Sequence, residues 1–114
     1  MTQARLVPDD PLGFIKSCVE RERVFWTHHV KMRFKGRSLP SRVVSQAVES
    51  FEIIEDYAQE RFHPTYLVFG LAGTRPFHVV FVADVEADWV RARTAYWPSA
   101  DEWEPAMRTR RRVD

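Results

Sequence analysis

The first half of the chain carries apolar residues three or four positions apart, which is the spacing of one helix face. An acid followed by Pro11 opens the first such segment, and Thr27 is placed to cap the second. Ser38 or Pro40 opens the third. The pattern therefore predicts three helices, over residues 11–23, over residues 27–35, and from residue 38 or 40 to residue 51.

Beyond residue 51 the pattern changes to the alternation of strands. β-Branched and aromatic residues fill four runs that short polar or glycine-containing turns separate, namely residues 52–57, 65–71, 75–82 and 89–97. Connections this short join antiparallel neighbours, because a parallel crossover needs a dozen or more residues. The expected fold class is α+β, with N-terminal helices packed on one face of a four-stranded antiparallel meander sheet. The expected core contains Ile15, Val44, Val48, Phe69, Val79 and Phe81.

A length of 114 residues fits one domain, so residues 1–114 are interpreted as a single unit with a loose lead-in at 1–8 and an arginine-rich tail at 108–114. Cys18 is the single cysteine, which excludes an intramolecular disulfide and is typical of a reduced, cytoplasmic setting. No segment has the run of about 18 apolar residues that a membrane span needs, and no signal peptide is expected at the first residues. The expected location is the cytoplasm, with no membrane partner.

The net charge of +1 hides a segregation of charges along the chain. Residues 23–48 carry six Lys or Arg and no acid, whereas residues 49–60 carry five acids and no base. Four further arginines lie in the tail. Separation of this kind produces basic surfaces suited to nucleic acid, although ordinary solvated faces give the same pattern.

Two histidine–arginine groupings are candidates for phosphate chemistry. His29 and Arg33 lie four positions apart on a predicted helix and hence on one face. Arg75 and His78 open the most β-rich strand. An imidazole transfers a proton near neutral pH, and a guanidinium holds a phosphate through two parallel hydrogen bonds. The structural alternatives are a surface histidine at position 29 and a satisfied core histidine at position 78.

A third grouping lies on the last predicted strand, where alternation places Arg91, Arg93 and Trp97 on one face and Tyr96 on the other. Cations for phosphates and rings for stacked bases would form a platform for RNA. An edge strand that charge protects from aggregation explains the same residues.

Several kinds of site are not expected. No Cys or carboxylate lies near the adjacent His28 and His29, so no metal site is predicted. No glycine-rich phosphate loop and no G-x-S-x-G turn occurs, so no cofactor is predicted.

The order of these motifs resembles the bacterial domain-of-unknown-function family 4258 (DUF4258). Six short features over about residues 25–111 carry the resemblance: Thr27-x-His29-x-x-x-Arg33, E-I-I-E-x-Y at residues 52–57, R-P-x-H-V-V at 75–80, T-x-Y-x-P at 94–98, Trp103, and the terminal arginines. The family usually has Arg-Gly where this chain has Lys35-Gly36. A lysine keeps the charge there and loses the guanidinium fork.

The resemblance implies a relative of the RelE and BrnT ribonuclease toxins. It also implies a cognate antitoxin as partner, because members of the DUF4258 family are often encoded beside an antitoxin with a YgiT-type zinc finger. It implies the toxin of a type II toxin–antitoxin pair, acting as an endoribonuclease in which the ribose 2′-OH attacks the adjacent phosphorus without a metal ion. A non-catalytic RNA- or DNA-binding module and a protein-interaction module remain open as alternatives.

The same resemblance implies a role for each candidate residue. His29 and His78 would supply the acid–base pair, Arg33 and Arg75 would stabilise charge on the phosphate, and Tyr96 would orient the phosphate or act as a weak acid. The remaining basic candidates would contact RNA outside the reacting atoms: Lys31, Lys35, Arg37, Arg91, Arg93 and Arg110.

Overall fold

A computed structural model of the chain describes residues 6–27, 39–59 and 63–112. These ranges contain, in chain order, α1 (Pro11–Glu20), β1 (Val24–Trp26), α2 (Ser41–Gln46), a 3-10 turn (Val48–Ser50), β2 (Glu52–Asp56), β3 (Thr65–Ala72), β4 (Arg75–Asp84) and β5 (Trp89–Tyr96). The four predicted strands are therefore present within a residue or two of their expected bounds. Among the described residues, no helix is both long and apolar enough to cross a bilayer.

The first helix begins as its sequence predicts and ends earlier. The side chain of Asp10 accepts a hydrogen bond from the Gly13 N–H at 3.1 Å, and Pro11 occupies the first turn. The helix ends at Glu20, because Glu22 adopts a positive φ of 60° and turns the chain into β1. The prediction that this helix continues to residue 23 is therefore wrong by one turn.

Of the second predicted helix, only its predicted cap, Thr27, lies among the described residues. Thr27 extends the line of β1, and its backbone N–H donates to the carbonyl oxygen of Ala92 at 3.3 Å. The rest of that prediction, residues 28–35, lies outside the described residues. The third predicted helix is present as α2 followed by the 3-10 turn.

The strands form one mixed sheet in the order β1-β5-β4-β3-β2. β2 to β5 pair antiparallel with their neighbours in sequence, as predicted. β1 is a fifth strand that pairs parallel with β5, for example Val24 with Val90, so the expectation of a purely antiparallel, four-stranded sheet is wrong. The reason is that α2 and three strands lie between β1 and β5, which supplies the long connection that a parallel pair needs.

The sheet has two faces that differ in what covers them. On the helix face, Val68, Phe77, Val79 and Phe81 are buried against residues of α1 and α2. On the other face, here called the tail face, Phe69 and His78 are buried. Residues 98–112 extend over part of that face. They include most of the predicted arginine-rich tail and are together called the tail from here on. The helices thus cover one face of the sheet, and the tail covers part of the other.

The predicted core is confirmed for every residue except one. Five of the six expected residues are buried, namely Ile15, Val44, Phe69, Val79 and Phe81, and Val48 is half-buried on the rim of the cluster. Phe69 lies on the tail face and not with the helices. Burying one phenylalanine contributes on the order of 2–3 kcal/mol, so residues on both faces stabilise the sheet.

Candidate active site

The tail folds back on itself over the end of the sheet. Trp103 and Arg110 form an antiparallel bridge, and the N–H of Glu104 donates to the carbonyl oxygen of Thr109 at 2.8 Å. The Trp103 ring is buried and meets the ring of His78 edge-on, with 4.3 Å between centroids. This packing holds the tail on the sheet and encloses His78.

His78 is fully buried, and both of its ring nitrogens have partners. Nε2 lies 2.6 Å from the carbonyl oxygen of Met107, and Nδ1 lies 3.1 Å from the hydroxyl of Tyr96. Since a carbonyl only accepts, Nε2 carries the proton, and Nδ1 accepts from Tyr96. Burial lowers the pKa of the imidazole, which agrees with a neutral ring. The geometry is that of a histidine satisfied in the core.

Tyr96 forms the floor of a cleft at the end of β5. Burial raises the pKa of its phenol to about 12, so the hydroxyl stays protonated and donates to His78. The cleft has a volume of about 460 Å³ and is lined by Thr94, Tyr96, Trp97, Ser99, Glu102, Trp103 and Arg110. Hydroxyls, aromatic rings, one carboxylate and one guanidinium thus face the same space.

Glu55 lies on the tail face because of a bulge in β2. Ile53 pairs with Val68 on the helix face, whereas Glu55 pairs with Leu67 on the tail face. Strict alternation would place residues 53 and 55 on the same face, so the register shift between them reverses the direction of Glu55. Sequence patterning missed this carboxylate for that reason.

Glu55, Tyr57 and Arg110 form a hydrogen-bonded cluster beside the cleft. The guanidinium of Arg110 donates twice to the carboxylate, at 2.6 Å from Nε and 3.1 Å from Nη2, and the Tyr57 hydroxyl donates to the same carboxylate. Burial opposes ionisation of Glu55, but Arg110 and Tyr57 together outweigh it and hold the pKa below its usual value. The bond to Glu55 raises the pKa of Tyr57.

The structure separates Arg75 from His78. Alternation along β4 places Arg75 on the helix face, where its guanidinium carbon lies 3.8 Å from the centroid of the Trp97 ring. His78 faces the opposite side of the sheet. Arg75 is accordingly not among the residues that line the cleft shared by Tyr96 and Arg110.

The predicted platform of Arg91, Arg93 and Trp97 does not share one face. A register shift in the β4–β5 pairing leaves Arg93 as the extra residue, with Val80 opposite Thr94 and Phe81 opposite Ala92. Arg91 consequently lies on the tail face, opposite Val82, whereas Trp97 packs against Phe77 on the helix face. Arg93 is exposed at the bulge itself.

Two other residues predicted for the site, Tyr96 and Arg110, both line the cleft. The remaining basic and histidine candidates lie outside the described residues, namely His29, Lys31, Arg33, Lys35 and Arg37. Within the described ranges, no cluster of three or more His, Cys, Asp or Glu side chains is arranged to hold a metal ion.

Comparison with known proteins adds one finding. The family model described as domain of unknown function (DUF4258) matches residues 26–97. This match runs from the end of β1 past β5, and it includes Glu55, Tyr57 and Tyr96, while Arg110 and the rest of the tail lie beyond it. No curated protein and no solved structure shows significant similarity to the chain. Since the family model covers well over half of the 114 residues, the chain belongs to the DUF4258 family.

Proposed function

We propose that this protein is the toxin of a bacterial type II toxin–antitoxin pair and that it cleaves RNA without a metal ion at the cleft on the tail face. The observation that carries the proposal is the Glu55–Tyr57–Arg110 cluster beside that cleft. A carboxylate, a phenol and a guanidinium in direct contact are the groups that phosphodiester transesterification needs: a base, an acid and a cation for the phosphate.

The first step is removal of the proton from the ribose 2′-OH. Glu55 is ionised at neutral pH, as its pKa lies below the ordinary value, so its carboxylate can accept a proton. A phosphate that engages Arg110 weakens the pairing of the guanidinium with Glu55. The pKa of Glu55 then rises towards that of an effective base, because the charge that lowered it is shared with the substrate.

The second requirement is stabilisation of charge on the phosphate. Two of the five N–H groups of the Arg110 guanidinium donate to Glu55. The other N–H groups can donate to phosphate oxygens. Arg110 lies against the ring of Trp103, with 4.7 Å between the guanidinium carbon and the ring centroid, which restricts its orientation. A cation held in this way stabilises the transition state with little reorganisation.

The third requirement is a proton for the leaving 5′-oxygen. Once Glu55 has taken the proton of the 2′-OH, it becomes a donor to the Tyr57 hydroxyl, so Tyr57 can release its own proton to the 5′-oxygen and regain one from Glu55. The 2′-oxygen bonds to phosphorus as the bond from phosphorus to the 5′-oxygen breaks. The products are a 2′,3′-cyclic phosphate and a 5′-hydroxyl. In this scheme the ring of Tyr96 lines the cleft, its hydroxyl remains bonded to His78, and His78 is a positioning residue that holds Tyr96 and the tail.

Candidates outside the described residues fit the same scheme. His29 remains a candidate for the second proton transfer, and Arg33 remains a candidate for the phosphate clamp. Their predicted positions on one helix face suit a single phosphate. Both await the same kinetic test as Glu55.

The decisive experiment is cleavage of a single-stranded RNA by the purified protein in excess chelator. Glu55→Gln keeps the size of the side chain and removes the base, so cleavage should slow by about a hundred-fold or more. Glu52→Gln is the matched control: Glu52 lies on the same strand and pairs with its own arginine, Arg108, at 2.8 Å. A substrate with 2′-deoxyribose at the scissile position should resist cleavage.

Two results would overturn the proposed chemistry. One is cleavage at the wild-type rate by folded Glu55→Gln protein, and the other is a requirement for added Mg²⁺. RNA that binds but is never cleaved would favour the alternative of a non-catalytic binding module.

A further inference from the structure

A second opening lies at the other end of the tail face, on the side of β1. It has a volume of about 270 Å³, and Phe25, Val82, Trp89 and Arg91 line it. The strand register explains why they meet: Phe25 on β1 is the partner of Arg91 on β5, and Arg91 is the partner of Val82 on β4. These four residues are called the aromatic groove below.

The two rings of the aromatic groove are unusually open to solvent. Phe25 is 63% exposed and Trp89 is 37% exposed, and they are two of the four large apolar side chains that the described part of the chain leaves exposed. The residues on either side of Phe25 in β1, Val24 and Trp26, face the helices and pack against the core. The open rings are therefore not a consequence of a generally loose edge, and they suit a planar ligand.

The charge that favours an anionic ligand at the groove is that of Arg91, because Arg23 is already paired with the Asp88 carboxylate at 3.6 Å and Asp84 adds a carboxylate to the lining. The guanidinium carbon of Arg23 lies 4.6 Å from the centroid of the Trp89 ring, and its Nε donates to the carbonyl oxygen of Asp88, which fixes one side of the ring. Arg91 is exposed and forms no ion pair with any described residue. The acid at the groove, Asp84, accepts a bond from the Ala87 N–H and closes the β4–β5 turn.

We infer that the aromatic groove is a base-stacking subsite for single-stranded RNA, in which Phe25 and Trp89 stack on a base and Arg91 binds the adjacent phosphate. A nucleobase offers a flat π surface to each ring, and the phosphate offers the anion for Arg91. A docking protein would need roughly 800 Å² of continuous surface on this side, which two rings and one cation do not supply.

The position of the groove connects it to the cleft. Arg91 and Tyr96 lie five positions apart on β5, on the order of 15 Å for a strand that rises about 3.3 Å per residue, and both lie on the tail face. One strand of RNA can therefore reach both sites. The inference rests on the proposed function for the identity of the ligand, and it adds the substrate class: a base is free to stack here only where the RNA is single-stranded.

The test uses a fluorescein-labelled 12-mer of deoxythymidylate, which lacks the 2′-OH and so binds without being cleaved. Its affinity for the full chain is measured by fluorescence anisotropy. Phe25→Ala should weaken binding by about tenfold, since one stacked base contributes roughly that factor or more. Phe25→Tyr keeps an aromatic ring, so this variant should retain most of the wild-type affinity. Leu6→Ala is the matched control, because Leu6 is 54% exposed and is not among the residues that line the groove.

The role of Arg91 has its own readout. Loss of one phosphate contact should make the fall of binding with salt shallower, by about 0.7 in the slope of log K against log salt concentration for a single strand. Arg91→Ala should show this change, and Arg91→Lys should keep the wild-type slope. Arg42→Ala removes another exposed arginine, on α2, and should leave the slope unchanged.

The outcomes separate this inference from the proposed function. Wild-type affinity of the Phe25→Ala and Arg91→Ala proteins for the 12-mer, or no binding of the 12-mer by the wild-type chain at low salt, would overturn the inference, whatever happens to cleavage. Tight binding that depends on Phe25, in a protein that never cleaves RNA, would support the groove and reject the nuclease.

Discussion

The imidazole Nε2 of His78, in the middle of β4, lies 2.6 Å from the carbonyl oxygen of Met107, in the tail. This hydrogen bond joins the sheet to a segment without regular secondary structure, at a residue whose φ is +60°. Such a φ is rare for a non-glycine residue and costs free energy, so the bond to His78 and the packing of Trp103 must hold the turn in place. Docking of the tail thus depends on an imidazole that donates from Nε2 and accepts at Nδ1.

We predict that this imidazole makes stability decline in mild acid. Burial lowers the pKa of His78 below the ordinary value of 6.5, so between the two values the unfolded chain binds a proton that the folded chain does not. The contribution of His78 to stability is therefore complete above about pH 6.5 and decreases as the pH falls below it, by up to about 1.4 kcal/mol per pH unit. Urea unfolding at a series of pH values from 5 to 7.5 measures this slope.

His78→Gln is the informative variant for that slope. Its amide nitrogen keeps a donor for Met107 and has no proton to gain, but the variant loses the packing of the imidazole against Trp103, so the free energy of unfolding at pH 7.5 should be lower than that of the wild type. Its slope between pH 5 and 6.5 should be shallower. Identical slopes in the two proteins would mean that His78 titrates equally in the folded and unfolded states.

We predict that the two glutamate–arginine pairs of β2 contribute unequally to stability. The Glu52–Arg108 pair is nearly half exposed on both sides, at 48% and 42%, so Glu52→Ala should change stability by an amount too small to measure. The Glu55 side chain is only 20% exposed and bonds to both Arg110 and Tyr57. With an allowance for the exposure of Arg110, Glu55→Ala should cost about 1 kcal/mol.

The comparison should be made by denaturant unfolding at pH 7, followed by the Glu55/Arg110 double-mutant cycle. A coupling energy indistinguishable from zero would show that the cluster is loosely held in solution. In that case it would not provide the rigid base that the proposed mechanism needs.

We predict that Gly70→Ala destabilises the sheet by about 1–3 kcal/mol. Gly70 on β3 is the partner of Phe77 on β4, and a Cβ at position 70 would lie 2.5 Å from the Phe77 ring. That ring is fully buried and meets Phe51 and Trp97 edge-on, so it has no space to move. Thermal unfolding of the single variant measures the cost.

Phe77→Leu provides the background that isolates the clash. The smaller side chain removes the ring atoms that the new Cβ would meet, so Gly70→Ala should cost much less in that background. Additive effects of the two changes would mean that the loss comes from the backbone at position 70 and not from contact with the ring.

The strands could be predicted from the sequence because the two central ones are long runs of β-branched and aromatic residues. β3 and β4 extend over eight and ten residues, so their assignment is insensitive to a single irregular position. β1 has only three residues, and its pairing is with a strand that is distant in sequence. Such a strand is fixed by tertiary contact and leaves no local periodicity to detect.

The candidate site could be predicted only in part, because bulges decide which face a side chain joins. One extra residue in β2 puts Glu55 on the tail face, and one in β5 puts Arg91 and Trp97 on opposite faces. No residue type marks either bulge in the sequence. Tyr96 and Arg110 were identified from their chemistry, whereas their meeting at one cleft depends on the fold of the tail.

The last prediction concerns growth. Under the proposed function, expression of this chain without its partner should arrest bacterial growth, and co-expression of an antitoxin with a YgiT-type zinc finger should relieve the arrest. Arg110→Ala and Glu55→Gln should also relieve it, while Arg108→Ala and Glu52→Gln should remain toxic. Growth curves after induction, with immunoblots to confirm equal amounts of folded protein, measure the effect.

Arg75 separates the two versions of the mechanism in the same assay. The scheme derived from the sequence assigns Arg75 to the phosphate and predicts that the Arg75→Ala protein no longer arrests growth. In the structure Arg75 lies against Trp97 on the helix face, on the opposite side of the sheet from Tyr96. A cleft on the tail face therefore predicts that Arg75→Ala still arrests growth and that Arg110→Ala does not. The reverse result would move the catalytic surface to the helix face and remove Glu55, Tyr57 and Arg110 from the chemistry.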